Sequence, residues 1–166
     1  MKEEIIKTPE YTKTEKISTI REYQKQGYIF HGSPHDLDII KLMPGKDHDR
    51  TKIFNNDTAI FGSNNPQVCI FSLLNPDAVK EYESSVRWGT HITVDNDITA
   101  RIPISLKSLV ENYTGFLYVL PVSSFTEKYG WTVKSYEEIE PIDKIPVNFE
   151  DFISLGGKVE WKDNNI

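Results

Sequence analysis

The chain has 166 residues, of which 38% are hydrophobic and 27% charged, with nine Gly and nine Pro. That length supports one domain with a real core and is too short for two of ordinary size. Nineteen basic against 25 acidic residues give a formal charge of -6. This argues against wrapping duplex DNA through the whole surface, because phosphate neutralisation needs Lys and Arg in excess. No apolar run approaches the ~20 residues of a membrane helix, and the longest, 116–122, suits a buried strand. The first residues, Met-Lys-Glu-Glu-Ile-Ile-Lys, lack the apolar stretch of a secretory signal. The single cysteine, Cys69, excludes an internal disulfide framework and a multi-Cys zinc site. The expectation is a soluble cytoplasmic (intracellular) protein with no membrane partner.

Residues 1–12 read as a flexible arm, 13–162 as one domain and 163–166 as a tail. Thr12 and Glu15 have capping-box spacing, in which a hydroxyl and a carboxylate satisfy each other's orphan amides. Ile17, Ile20 and Tyr23 follow at near-helical spacing and Gly27 supplies a left-handed stop, so a helix is expected over 13–26. A β-prone run at 28–30 then ends at His31-Gly32-Ser33-Pro34. One or two helical turns are expected over 36–42, and a polar loop with His48 and Arg50 over 45–57. A strand at 58–61 precedes Asn65-Pro66, a helix start with Asn as cap and Pro in the first turn.

The second half reads mostly as β. Strands are expected at 86–94 and 98–104 around Asp95-Asn96-Asp97, and a short helix at 105–112. The unbroken apolar run 115–120 has the character of a central strand. Further strands are expected at 131–135 and 139–147, where Pro141 and Pro146 push the second toward an edge. A helix at 148–155 stopped by Gly156-Gly157 leads to a last strand at 158–161. The class expected is α+β.

Most chemical signatures are missing: there is no phosphate-binding Gly-rich loop followed by Lys-Ser/Thr, no Gly-x-Ser-x-Gly elbow and no His-Glu-x-x-His helix. His31, His35 and His48 match no standard zinc spacing, so no metal is expected. His31 differs from the other two. It ends an apolar strand beside Gly32, so a group that donates and accepts stands next to backbone that a ligand can approach closely.

The segments Tyr28-Ile-Phe-His-Gly-Ser-Pro34, Ile40-Lys-Leu-Met-Pro44 and Ala59-Ile-Phe-Gly-Ser63, in that order, resemble the His-Tyr-Glu branch of the ADP-ribosyltransferase superfamily. So do Gly115-Phe-Leu-Tyr-Val-Leu-Pro121, Phe125, Trp131, Ile139-Glu-Pro-Ile and Ile145-Pro-Val, which look like small bacterial and phage members. The resemblance implies two small packed β-sheets with flanking helices around an NAD-type cleft, and NAD as substrate. It implies that His31 bonds a ribose hydroxyl, that the main chain of Gly32 holds the nicotinamide carboxamide, and that Ser33 lies beside the same ribose. Phe61 stands where the family usually has Tyr; its ring face supplies the same stacking on nicotinamide. The family's Glu is expected just before Trp131, where this chain has Gly130. Glu127, Glu137 and Glu138 are nearby, and Glu138, at the head of the proline-bearing strand, is the first choice for the catalytic carboxylate.

The function implied is cleavage of the nicotinamide–ribose bond of NAD, with transfer of ADP-ribose to a protein or nucleic-acid acceptor. The alternative is a non-catalytic module that binds NAD, ADP-ribose or a related nucleotide in the same cleft. RNA 2'-phosphotransferases also resemble the superfamily, but Arg50, Arg87 and Arg101 form no cluster and the acidic balance disfavours RNA.

Overall fold

The computed structural model describes residues 11–44, 58–73, 89–92, 97–129 and 132–163. Most of the arm, the loop with His48 and Arg50, Arg87, the turn residues Asp95 and Asn96, Gly130, Trp131 and the last three residues lie outside them. Helix α1 (Lys13–Lys25) opens with the expected capping box: Glu15 N–H donates to Thr12 Oγ1 at 3.2 Å and Thr12 N–H to Glu15 Oε2 at 3.3 Å. It closes at Gly27, whose φ of 87° costs a residue without a Cβ little.

Strand β1 (Ile29–Ser33) runs antiparallel to β6 (Thr114–Leu120), which pairs on its other side with β9 (Asp143–Asn148). The apolar run is therefore the central strand, and the strand carrying Pro146 is the edge. A second sheet has the order β2 (Met43–Pro44), β3 (Thr58–Gly62), β8 (Thr132–Ser135), β7 (Glu127–Tyr129). A third joins β4 (Gly89–Ile92) and β5 (Ile98–Pro103) as antiparallel neighbours, with β10 (Lys158–Lys162) parallel to β5. Helix α2 (Pro66–Leu73) begins at the expected Asn-Pro, with Asn65 Oδ1 accepting from Gln67 N–H at 3.0 Å. A 3-10 turn (Ile104–Leu106) leads into α3 (Lys107–Glu111), and α4 (Phe149–Ser154) carries a second capping box between Asn148 and Asp151. The class is α+β, small sheets with flanking helices, and no described helix is long and apolar enough to cross a membrane.

Alternation along β1 divides the core. Phe30 turns to the helical side, where it packs with Leu117, Val119, Ile145 and Val147 of its own sheet, Ile20 of α1, Ile70 of α2 and Phe152 of α4. Ile29 turns to the other side, with Tyr118, Leu120, Ile40, Ile60 and Ile139. Full burial of each such side chain stabilises by about 1.5–3 kcal/mol. A buried amide ties three elements beneath this core. Gln67 Nε2 donates to Asp97 Oδ1 and Leu155 O, both at 2.8 Å, and its Oε1 accepts from Ile98 N–H at 2.7 Å.

Three expectations are corrected. Residues 36–42 form no helical turn, because their backbone is claimed from outside: Leu37 N–H donates to Tyr118 Oη at 2.7 Å, and Ile40 exchanges two hydrogen bonds with Ile139. The last strand of the first sheet starts at Asp143, not 139; Ile139 makes only that isolated bridge. Strand β1 continues through Ser33, since pairing with Phe116 overrides the break that Gly and Pro signal.

Candidate functional site

Strands β1 and β3 meet and then part. Phe30 and Ser63 exchange two hydrogen bonds, of 2.7 and 2.9 Å, so the backbone of both faces the seam between them. A continuing antiparallel ladder would next join Gly32 to Phe61. It does not. The side chain of His31 takes that place: Nδ1–H donates to Phe61 O at 2.6 Å. Gly32, two residues beyond Phe30, turns its N–H and C=O the same way, outside the β1–β6 ladder.

That hydrogen bond makes Nδ1 the donor of a neutral ring and leaves the lone pair on Nε2. Burial pushes His31 below its ordinary value, and the bond to Phe61 opposes this only in part. A neutral imidazole therefore keeps a lone pair on Nε2 at neutral pH. Tyr118 lies directly across β6 from His31, with ring centroids 6.4 Å apart. Its hydroxyl donates to His35 O at 2.6 Å and accepts from Leu37, which fixes the segment after β1 over this face. Lys144, next in the row, pairs with Asp36 of the same segment.

Ser33 is buried, and its Oγ accepts from His35 N–H at 3.1 Å. It shares a face with His31, while Gly32 turns its α-carbon toward α2. Phe61 is half-buried and lies on the opposite face of β3 from Ile60. Its direct cross-strand neighbour is Lys134, and the next strand places Glu127 opposite Lys134. These three side chains share one face of the sheet. The Lys134 side chain is 3% exposed and Glu127 48%, with Nζ to Oε2 at 3.3 Å. Tyr136 donates its hydroxyl to the same Oε2 at 3.1 Å, and its ring centroid is 5.4 Å from Nζ.

The structure thus joins the His31 side chain to the main chain of Phe61, with Gly32 and Ser33 next along β1; the Phe61 ring lies on the face of β3 away from Ile60. Glu138 is exposed, in the bend after β8, and the residue that turns inward there is Ile139. Glu137 is exposed as well. Sequence reasoning missed Lys134 and Tyr118. Lys134 sits in Thr-Val-Lys-Ser, an alternation that assigns it to a solvated face, so no local signal marks it. Tyr118 lies in an apolar run that hides its hydroxyl's task.

A cavity of about 200 Å³ lies elsewhere, between the start of β6 and the end of β9, bounded by Lys16, Pro34, Phe116 and Asn148. Among the described residues no cluster of His, Cys, Asp and Glu could hold a metal ion. No family model, curated protein or solved structure matches the chain.

Proposed function

We propose that the β1–β3 seam is an NAD site in an ADP-ribosyltransferase-like domain, where the nicotinamide–ribose bond is cleaved and ADP-ribose passes to a protein or nucleic-acid acceptor. One observation carries this reading: the His31–Phe61 hydrogen bond holds the strands apart at the residue where the backbone of Gly32 faces outward. A carboxamide needs a donor and an acceptor together, and the main chain of one residue supplies both. The lone pair of His31 Nε2 suits a ribose hydroxyl, and the ring of Phe61 suits the nicotinamide face. In this reading Glu138, exposed after β8, turns in with substrate bound to supply the carboxylate that stabilises positive charge as the bond breaks.

The test is incubation with NAD and measurement of free nicotinamide. His31→Ala abolishes release. Glu138→Gln lowers it by at least about tenfold, equivalent to ~1.4 kcal/mol of transition-state stabilisation, with NAD binding nearly intact. Equal rates in Glu138→Gln and wild type remove Glu138 from the reaction.

A second reading, nucleotide binding without turnover, is favoured by a specific observation. Directly opposite Phe61 in the strand register stands Lys134, and not a carboxylate. A cationic residue in that row does nothing to stabilise the positive charge that develops when nicotinamide leaves. NAD binding with no nicotinamide release from the wild type, across protein and nucleic-acid acceptors, selects this reading.

A further inference from the structure

We propose that the cavity of about 200 Å³ between the start of β6 and the end of β9 is a ligand site of its own, for a small aromatic carboxylate. It stands apart from the reading of the β1–β3 seam and does not rest on it.

The walls of this cavity divide by chemistry. Phe116 pairs with Pro146 and Thr114 with Asn148 across the β6–β9 ladder, so these four side chains share one face of the sheet. Phe116 and Pro146, with Pro34, make an apolar wall; Lys16, Thr114 and Asn148 make a polar one. Pro34, Thr114 and Pro146 are exposed, which leaves the cavity open to solvent. A dry cavity of about 150 Å³ holds one benzene ring, so this one has room for a ring with one small substituent.

The polar wall selects that substituent. Lys16 reaches in from α1 and places one donor on Asp151 Oδ2 at 3.1 Å. The Asp151 side chain is 2% exposed and does not line the cavity, so it anchors the ammonium without facing a ligand. Two of the three ammonium donors remain to be used. Asn148 spends Oδ1 on Asp151 N–H at 3.2 Å, and its Nδ2 has no partner among the described residues. The Thr114 hydroxyl has none there either. The wall is therefore made of donors. A carboxylate only accepts, and it meets Lys16 and Asn148 with charge-assisted hydrogen bonds. A carboxamide brings two donors of its own, and of these three side chains only the Thr114 hydroxyl can accept from them.

The experiment is a titration of the full chain with benzoate and with benzamide, nearly equal in shape, followed by two-dimensional NMR of the backbone amides. Benzoate is expected to shift the amides of Thr114, Phe116, Val147 and Asn148 saturably, and to bind at least about fivefold tighter than benzamide. Acetate, which lacks the ring, binds at least about tenfold more weakly than benzoate. Asn148→Asp keeps a good helix cap and replaces the amide donor with an acceptor. In a sample that melts like the wild type, it reverses the order of benzoate and benzamide. Equal affinities of the two ligands for the wild type overturn the proposal. So do shifts that map to another part of the chain, or no saturable shift at millimolar benzoate. These three outcomes are read on the wild type, whatever the variant's stability. A folded Asn148→Asp protein that still prefers benzoate overturns the role given to Asn148.

Discussion

A Cβ placed on Gly32 would stand 2.4 Å from the carbonyl oxygen of Cys69, so strand β1 meets helix α2 backbone to backbone at this residue. Cys69 is itself buried, its Sγ–H donating to Phe30 O at 3.1 Å, and burial pushes its thiol up to about 12. The glycine beside His31 thus has a structural task on one side of the strand while its main chain faces the seam. Gly32→Ala forces β1 away from α2 at a point where backbone, not a flexible side chain, must yield. The expected cost is about 1–3 kcal/mol, read as a lower urea midpoint with an unchanged slope.

The neutral state of His31 gives the fold a pH dependence whose sign follows from burial. Its value in the folded chain lies below the ordinary 6.5, so the unfolded chain binds more protons between the two values. The contribution is present above about pH 6.5 and is lost as pH falls through the lower, folded value. Denaturant titrations stepped from about pH 7.5 to about pH 5 are expected to show a steeper loss for the wild type than for His31→Gln. NAD affinity is expected to fall only as pH passes through the lower, folded value, where protonation of the folded chain replaces the Nε2 lone pair with a donor. A wild type and variant with parallel pH profiles would remove His31 from both effects.

Gln67 should be among the least replaceable polar residues of the core. Its amide satisfies the Ile98 N–H and the Leu155 carbonyl and also bonds Asp97. Gln67→Leu keeps the bulk and strands the two backbone groups, at an expected cost of about 1–3 kcal/mol for each buried group left unpaired. Differential scanning calorimetry checks this, and a melting temperature within a degree or so of wild type would show that water replaces the amide.

Phe61 belongs to none of the apolar clusters of the described residues, so its removal separates binding from stability. Phe61→Ala is expected to weaken nicotinamide-containing ligands by about 1–3 kcal/mol, by analogy with base stacking, while the protein melts close to wild type. Phe61→Tyr keeps the ring face and should keep the affinity. Unchanged NAD affinity in a folded Phe61→Ala protein counts against the seam as the binding site.

The features readable along the chain are local ones. The capping box of Thr12 and Glu15, the left-handed Gly27, the Asn65-Pro66 helix start and the run that became central strand β6 each act within a few residues. Their physics is therefore complete in the chain itself. That the His31 and Phe61 segments come together was also legible, because two apolar runs end in small residues. Partnership between distant segments came from the packed fold. Nothing in residues 36–42 announces that Tyr118 and Ile139 will claim their backbone, and nothing in Thr-Val-Lys-Ser announces that Lys134 will be buried opposite Phe61. Cross-strand register joins segments that are far apart in sequence, and a slip of one residue would turn every side chain to the other face. That choice is made by the packing of whole faces. It alone set His31 on the carbonyl of Phe61, and Lys134 across from Phe61 in the strand register.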